Sequence, residues 1–243
     1  MRNWRRILAI TPLVLLFPFP AAAAPASAAM EPLQITYYGR ACFVVEGSSG
    51  IRLMIDPFNE KLGYPVPNVP VDAAVVTHGH GDHNAVEVLP GAPAVFRSPG
   101  TFKNVRITGQ EFNHDDQGGK LRGKTWVYLI EIDGWRIVHM GDIGEVPPPE
   151  ALDIFRGADV LMIPVGGYYT VEPEQAVKLA RMLAPAYIIP MHYRITGKEV
   201  GVVGVDKFLS VWDGPVERRA SQVTLTSRPA ASTVLQMKAA FEE

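Results

Sequence analysis

Three histidines and one aspartate lie within six consecutive residues of this 243-residue chain. Imidazole and carboxylate ligands suit zinc, and they also suit iron or manganese. One metal ion needs only three protein ligands and a water molecule, so four ligand side chains in one short run predict two ions. The alternative is a surface histidine cluster that binds no metal. The four residues are His78, His80, Asp82 and His83, and the glycines at 79 and 81 are interpreted as points where the backbone turns tightly between ligands.

Candidate ligands also occur further along the chain, at His114, Asp142 and His192. Asp142 and His192 each lie just after a predicted strand, as the first run does, and loops at strand ends commonly carry chemistry. Alternatives stay open for two of them: His114 could be an exposed loop residue, and Asp142 could cap a turn. His139 lies inside a predicted strand, which favours a core position, or a hydrogen bond to a ligand residue, over metal binding.

The elements that must position these residues form two patterns. The first half of the chain reads as short apolar strands separated by glycines, and Asp133 and Gly134 are typical of a two-residue hairpin turn. The second half alternates predicted strands with predicted helices. Strands followed by mixed strands and helices predict two sheets with helices outside. The predicted strands are 33–38, 42–46, 51–55, 73–76, 94–97, 105–108, 125–132, 135–139, 160–163, 187–190, 223–227 and 232–236, and the predicted helices are 149–155, 172–183 and 205–212.

The amino terminus has the organisation of a secretory signal peptide. Basic residues open it, an apolar run over 7–19 follows, and Ala26, Ser27 and Ala28 match the A-x-A cleavage pattern. The sequence therefore predicts a signal peptide over residues 1–28, one mature domain over 29–243, and a periplasmic or secreted location. An uncleaved membrane anchor is the alternative, although the prolines within the run disfavour a span, and no stable span is expected after cleavage.

Charge and cysteine content exclude two classes of protein. Removing residues 1–28 would remove three arginines and no acid, which moves the net charge from −2 to −5. A mildly acidic domain does not suit nucleic-acid binding, so we expect a small-molecule substrate, and a homo-oligomer remains open. The single cysteine, Cys42, forbids a disulfide within the chain and is expected to be a small buried hydrophobic residue.

The pattern H-x-H-x-D-H at a strand end resembles the signature of the metallo-β-lactamase superfamily. Residues 35–39 resemble its first strand pair, residues 54–57 resemble its early aspartate motif, and His114, Asp142 and His192 follow the signature in the expected order. Residues 165–167 and 190–193 are similar to the branch containing the phosphorylated-ascorbate lactonases and related uncharacterised hydrolases. The resemblance implies an α/β protein with an αββα sandwich of two mixed β-sheets flanked by helices.

The resemblance also implies roles for individual residues. His78, His80 and His114 would hold a first ion, Asp82, His83 and His192 a second, and Asp142 would bridge them. Two divalent ions, of zinc by preference and otherwise manganese or iron, would activate a bridging hydroxide, and Asp82 could orient it or pass on its proton. Asp56 would hold the histidine-rich loop by hydrogen bonds. A turn residue is the alternative for Asp56.

The chain departs from the superfamily pattern at Arg40, where relatives often carry histidine. The arginine could favour an anionic substrate, or it could point to solvent, and the sequence favours neither. Asn84 follows the signature where many relatives have glycine. Zinc β-lactamases that resemble this fold commonly use a cysteine in the second metal site. The only cysteine here, Cys42, precedes the signature and cannot occupy that position, so a β-lactamase is disfavoured. Tyr168, Tyr169 and Arg194 are candidates for substrate contact, with loop packing as the alternative.

These observations predict a metal-dependent hydrolase that cleaves an ester, lactone, amide or phosphodiester bond. Two alternatives remain at this point. One is an iron-dependent oxidoreductase on the same fold, which the presence of all three signature histidines disfavours. The other is an exported metal-binding protein without catalysis. The complete ligand set with a bridging aspartate disfavours it, because a storage or structural site has no need of an open, shared water position.

Overall fold

The computed structural model describes residues 30–197 and 199–242. The predicted signal peptide, residues 1–28, lies outside the described residues. In the part that is described, no helix is long and apolar enough to cross a membrane. The strands are β1 (Leu33–Gly39), β2 (Cys42–Glu46), β3 (Arg52–Ile55), β4 (Ala73–Val75), β5 (Ala94–Phe96), β6 (Gly100–Phe102), β7 (Val105–Asn113), β8 (Lys124–Ile132), β9 (Trp135–His139), β10 (Val160–Pro164), β11 (Tyr187–Met191), β12 (Val216–Arg219), β13 (Gln222–Leu225) and β14 (Thr233–Met237). The helices are α1 (Pro173–Leu183) and α2 (Val205–Val211), and short 3-10 helices occur at Glu60–Leu62, Val86–Val88, Pro149–Phe155 and Ala240–Glu242.

The strands form two mixed sheets, as the sequence predicts. The first sheet has the order β13-β1-β2-β3-β4-β5, with antiparallel pairs from β13 to β3 and parallel pairs from β3 to β5. The second sheet has the order β12-β14-β11-β10-β9-β8-β7-β6. It is antiparallel from β6 to β9 and parallel from β9 to β12.

The core lies between the sheets, and alternation along the strands explains it. Side chains of a strand point to opposite faces in turn, so Phe43 and Val45 of β2 enter the central core while Cys42 and Val44 face outward. The outward side chains join Met54, Phe58 and Tyr64 in a second apolar cluster. Cys42 is thus a buried hydrophobic residue, as expected.

The two outer layers differ. Helix α1 packs on β10 and on the 3-10 helix Pro149–Phe155, and it also contacts α2, so regular helices cover this part of the second sheet. The first sheet is covered instead by the irregular segment 57–72 with its 3-10 helix at Glu60–Leu62. The sandwich predicted from the sequence is therefore confirmed, with a helical layer that is thin on one side.

Most predicted elements are found with shifts of one or two residues. The Asp133–Gly134 turn is confirmed, because both residues have positive φ, 46° and 84°, as a type I′ hairpin requires. Strand β7 is longer than predicted, and 149–155 is a 3-10 helix. Strands β6 and β12 were not predicted from the sequence. Strand β6 has only three residues, and β12 is an exposed, charged edge strand.

Candidate metal centre

The candidate ligands gather where strands end. Asp56 follows β3, and the run 78–83 follows β4 after two residues. In the second sheet, β7, β9, β10 and β11 run in the same direction, so the residues after them emerge at one edge. His114 follows β7, Asp142 lies in the turn after β9, and His192 follows β11. Two hydrogen bonds join the sheets here, from Trp126 N to Thr77 O (2.9 Å) and from Tyr128 Oη to Val76 O (3.2 Å).

One group of imidazoles consists of His78, His80 and His114. Their candidate ligand nitrogens all lie within 4.8 Å of one another, close enough to share one ion. His78 Nε2 and His80 Nδ1 are 3.1 Å apart, and the ring centroids of His78 and His114 are 4.8 Å apart. The three residues are those that the resemblance assigns to a first ion.

A second group consists of Asp82, His83 and His192, whose candidate ligand atoms also lie within 4.8 Å of one another. Asp142 lies between the groups. Its Oδ2 atom is 3.0 Å from His192 Nε2 and 3.2 Å from His83 Nε2. On the other side it is 3.4 Å from His114 Nε2 and 4.0 Å from His78 Nε2. A single carboxylate oxygen therefore faces imidazoles of both groups.

A third possible grouping joins Asp56 to His78 and His83. Both oxygens of Asp56 already accept hydrogen bonds: Oδ1 from Thr77 N (2.8 Å), and Oδ2 from Thr77 Oγ1 (2.7 Å) and His83 Nδ1 (2.8 Å). A bond from the Nδ1 side leaves His83 Nε2 free to face Asp142 and fixes the ring tautomer. Asp56 thus holds the start and the end of the histidine-rich loop.

Buried polar atoms without hydrogen-bond partners test whether the residues suit a metal. Among the described residues, such atoms include His83 Nε2, His192 Nε2 and Asp142 Oδ1. Leaving a buried polar group unpaired costs about 1–3 kcal/mol, so three of them in one cluster need a common partner. Divalent ions bound by nitrogen and oxygen would satisfy all three, and the donor set therefore fits the group.

The pKa values of the imidazoles divide into two kinds. Burial lowers the pKa of His78 to about 3, and burial also lowers the pKa of His114 and His192, so these rings are neutral and offer a lone pair. Burial would lower the pKa of His83 too, but Asp142, Asp82 and Asp56 together raise it well above its ordinary value. Metal binding at His83 would displace that proton.

Backbone strain concentrates at the same edge. Positive φ is uncommon in residues other than glycine, and it persists where surrounding structure holds it in place. Seven described non-glycine residues have it, and four lie here: Arg40 (54°), Asp56 (48°), Tyr168 (59°) and His192 (54°).

His139 is fully buried at the end of β9 and belongs to neither ligand group. Its Nε2 donates to Ala41 O (3.0 Å), and its Nδ1 accepts from Gly141 N (3.1 Å). Both ring nitrogens are therefore engaged by the backbone. Next to it, Asp142 N donates to Thr125 Oγ1 (3.2 Å). His139 supports the turn that carries Asp142, in keeping with a core role.

Arg40 points into the site and not to solvent. Its Nε and Nη2 donate to Asp82 Oδ2 at 2.9 and 2.7 Å, and its side chain is 10% exposed. Burial alone would raise the pKa of Asp82, but His83 and Arg40 outweigh it and lower the pKa to about 2. The backbone carbonyl of Arg40 accepts from His192 N (2.7 Å) and Tyr37 Oη (3.1 Å), so this residue also anchors the last candidate ligand.

A cavity of about 530 Å³ opens beside the cluster, and His80, Asp82, His114 and Asp142 form part of its wall. Of the three predicted substrate contacts, Tyr169 lines the cavity and Tyr168 packs against Tyr169 with ring centroids 4.6 Å apart. Arg194 does not line this cavity. It borders a separate one of about 270 Å³, because the chain turns away after His192.

Two cations in the cavity wall, Lys61 and Arg122, escaped the sequence analysis. Lys61 belongs to the irregular segment over the first sheet, and Arg122 ends a glycine-rich loop after His114. A cation within a short, glycine-rich loop next to a candidate ligand is a signal that could have identified Arg122.

The loop turns between the candidate ligands, with a bond from His83 N to His80 O (3.0 Å), but the turn does not require glycine at the two signature positions. Gly79 and Gly81 do not have positive φ, and a Cβ atom at either position would meet nothing within 4 Å. The glycines that the site needs are elsewhere. A Cβ on Gly141 would lie 2.3 Å from Thr125 Oγ1, and one on Gly144 would lie 2.4 Å from Asp115 N and 2.5 Å from the carbonyl carbon of His114. These close backbone contacts fix the distance between the His114 and Asp142 segments.

Comparisons with known proteins agree with this geometry. Residues 34–192 match the family described as the beta-lactamase superfamily domain. A UPF0173 metal-dependent hydrolase of Desulfitobacterium hafniense is 31% identical over 202 residues, which cover 68% of this chain and 84% of that protein. One from Thermococcus onnurineus is 29% identical over 191 residues, covering 66% and 84%.

Among solved structures, a candidate zinc-dependent hydrolase of the metallo-β-lactamase superfamily from Thermotoga maritima superposes with a TM-score of 0.71. It is 33% identical and covers 85% of this chain and 100% of that one. The chain belongs to the metallo-β-lactamase superfamily. Within it, the chain is similar to proteins named as metal-dependent hydrolases.

Proposed function

We propose that this protein is a hydrolase that binds two divalent metal ions and cleaves an ester, lactone, amide or phosphodiester bond of a small molecule. The observation that carries the proposal is the position of Asp142 Oδ2. It lies within 4.0 Å of imidazole nitrogens from both three-residue groups, where one carboxylate can bridge two ions. A structural or storage site needs no such shared position.

In this proposal, His78, His80 and His114 hold one ion, and Asp82, His83 and His192 hold the other. Zinc is the preferred metal because the donor set is rich in imidazole, and manganese and iron also accept it. Bound ions of this kind lower the pKa of water to about 7 and polarise the bond to be cleaved.

The remaining steps belong to side chains of the protein. The Asp82 carboxylate lines the cavity and is oriented by two donors of Arg40, so it is placed to accept a proton from the attacking water and to pass it to the leaving group. Asp56 fixes the loop that carries Asp82 by bonding to Thr77 and His83 at its two ends. The Tyr169 ring forms part of the wall against which the substrate would lie.

Residues 1–28 support export of the mature domain to the periplasm or the medium, since they combine a basic start, an apolar run and an A-x-A sequence. The amino-terminal residue of protein purified from those fractions reports whether cleavage follows Ala28.

Metal analysis by mass spectrometry, on protein purified without chelators, tests the central claim. We expect about two ions per chain, and loss of both metal and hydrolysis of ester, lactone and phosphodiester reporters in Asp142→Ala and His80→Ala. Asp116→Ala is the matched control: it removes an exposed aspartate close to His114 that belongs to neither ligand group, and we expect two ions to remain. Iron with redox activity would favour an oxidoreductase, two ions without any catalysis would favour a binding protein, and metal-free protein from every preparation would refute the proposal.

A further inference from the structure

Cations surround the outer part of the cavity, and they differ in how they are neutralised. Arg40, Lys61 and Arg122 line it together with the acids of the cluster and Glu199. Arg40 is paired with Asp82. Among the described residues, neither Arg122 nor Lys61 forms an ion pair with a carboxylate. A half-buried arginine without an anion beside it is unusual, because arginine is normally paired when it leaves water.

The acid that could neutralise Arg122 is engaged elsewhere. Glu199 accepts hydrogen bonds from Tyr64 Oη, from Ile195 N (2.9 Å) and from Thr196 N (3.2 Å). Burial would raise the pKa of Glu199, but these bonds lower it to about 2. Its charge is therefore satisfied by its own loop and by Tyr64, and Arg122 lines the cavity without an ion-pair partner among the described residues.

Two aromatic rings lie within cation–π range of the Arg122 guanidinium. Its Cζ lies 5.4 Å from the centroid of the Tyr169 ring and 5.9 Å from that of Tyr168. Arg40 Cζ lies 5.6 Å from the centroid of the same Tyr169 ring. A cation held near an aromatic face keeps its N–H groups free for a ligand, because the ring occupies only its flat side.

The loop that carries Arg122 is also held by its backbone. Asp115 Oδ1 accepts from Gln117 N (2.9 Å) and Gly119 N (2.8 Å), and Oδ2 accepts from Leu121 N (2.9 Å) and Arg122 N (2.8 Å). Four bonds to one buried carboxylate make this loop rigid. Asp115 follows the candidate ligand His114 directly, so the position of Arg122 is tied to that of the metal cluster.

We propose that Arg122, with Arg40 and Tyr169 beside it, forms a subsite for an anionic group of the substrate, a carboxylate or a phosphate. This inference rests on the proposed function, since it places the anion at a fixed distance from the bond to be cleaved. A planar guanidinium binds both kinds of anion through two parallel hydrogen bonds. Arg122 is therefore a specificity residue that selects acidic over neutral substrates.

The test compares reporter esters that differ only in a neutral, a carboxylate or a phosphate substituent, with zinc-loaded wild type, Arg122→Gln, Arg122→Lys and Lys120→Gln. Lys120 is the matched control because it is exposed in the same loop and does not line the cavity. We expect Arg122→Gln to lower the ratio of kcat/KM for anionic over neutral reporters about 10-fold, chiefly through KM. Arg122→Lys keeps the charge and should lose less, and Lys120→Gln should keep the wild-type ratio. Whichever anionic reporter, carboxylate or phosphate, loses more kcat/KM in Arg122→Gln identifies the anion that the subsite prefers.

Calorimetric binding of benzenesulfonate, an anion that zinc binds weakly, supplies a reading that needs no hydrolysis. We expect its affinity to fall about 10-fold in Arg122→Gln and to be unchanged in Lys120→Gln. If no reporter is hydrolysed but sulfonate binding depends on Arg122, the subsite stands and the proposed reaction does not. Unchanged ratios and sulfonate affinity in Arg122→Gln, or equal losses in Lys120→Gln, would overturn the inference.

Discussion

The metal-cluster side and the mouth of one cavity are built in different ways. The cluster side consists of imidazoles and carboxylates at strand ends, and although His80 is exposed, its Asp56, His114, Asp142 and His192 are all at most 1% exposed. The mouth consists of loops with exposed side chains, among them Leu121 (60%), Tyr168 (57%) and Val200 (77%). The comparison teaches that the candidate ligands are held by the core of the fold, whereas the proposed anion subsite lies on loops at its surface.

The largest effect is expected where the cluster side depends on one buried carboxylate. Asp56→Ala leaves Thr77 N and His83 Nδ1 without acceptors, so we expect the free energy of unfolding to fall by about 3–5 kcal/mol. Urea denaturation measures it. Asp72→Ala is the matched control, because Asp72 also accepts a backbone bond, from Arg52 N, but its side chain is 35% exposed. A cost of about 1 kcal/mol is expected there. Equal losses of unfolding free energy in the two variants would contradict the role of Asp56 in holding the histidine-rich loop.

An intermediate effect is expected from one methyl group placed where two segments of the cluster side touch. Gly144→Ala would force Cβ against the backbone of His114 and Asp115, so we expect a loss of about 1–3 kcal/mol and weaker metal binding. Gly79→Ala and Gly81→Ala, inside the signature itself, meet open space and should change stability by less than about 1 kcal/mol. Thermal unfolding and metal titration distinguish them. A large loss of stability in Gly79→Ala or Gly81→Ala would show that the backbone of this loop has a different conformation when metal is bound.

The smallest effect is expected at the mouth. Val200→Ser changes a side chain that is 77% exposed, so the free energy of unfolding should move by no more than about 0.5 kcal/mol and metal content should stay the same. The same change at Val138, which is fully buried in β9, should cost about 2 kcal/mol or more. Denaturation curves of the pair measure the contrast. A large loss at Val200 would show that the mouth is part of the stable core.

Sequence reasoning found most of the cluster side and little of the mouth, for a physical reason. Four of the candidate ligands are recognisable from the run 78–83 alone. His114, Asp142 and His192 come close to it because strands that run in the same direction end at the same edge of the sheet. The mouth depends on how separate loops approach one another. Nothing in the residues near Arg122 reveals that Tyr169 lies against it, and nothing near Arg194 reveals that its side chain borders a different cavity.

The same reasoning explains two further outcomes. Sequence reasoning predicted the two sheets from the order of the elements, strands first and then strands mixed with helices, and it predicted the burial of Cys42 from the apolar stretch around that residue. It could not predict that glycine is required at position 144 and not at position 79. That difference depends on the distance between two segments that are far apart in the sequence. The edge strand β12 was missed because its charged residues are exposed and give no apolar signal.

The turn at Arg40 separates two duties within a single residue. Its carbonyl oxygen holds His192 N and Tyr37 Oη, and any amino acid has that oxygen, while only its side chain reaches Asp82 and Tyr169. Apart from β-branched residues, which the positive φ of 54° disfavours, another side chain at this position would keep the backbone contacts that hold the last candidate ligand. Under the proposed function, position 40 is thus a place where related proteins can change the side chain that faces the cavity and keep the backbone contacts of the candidate metal centre.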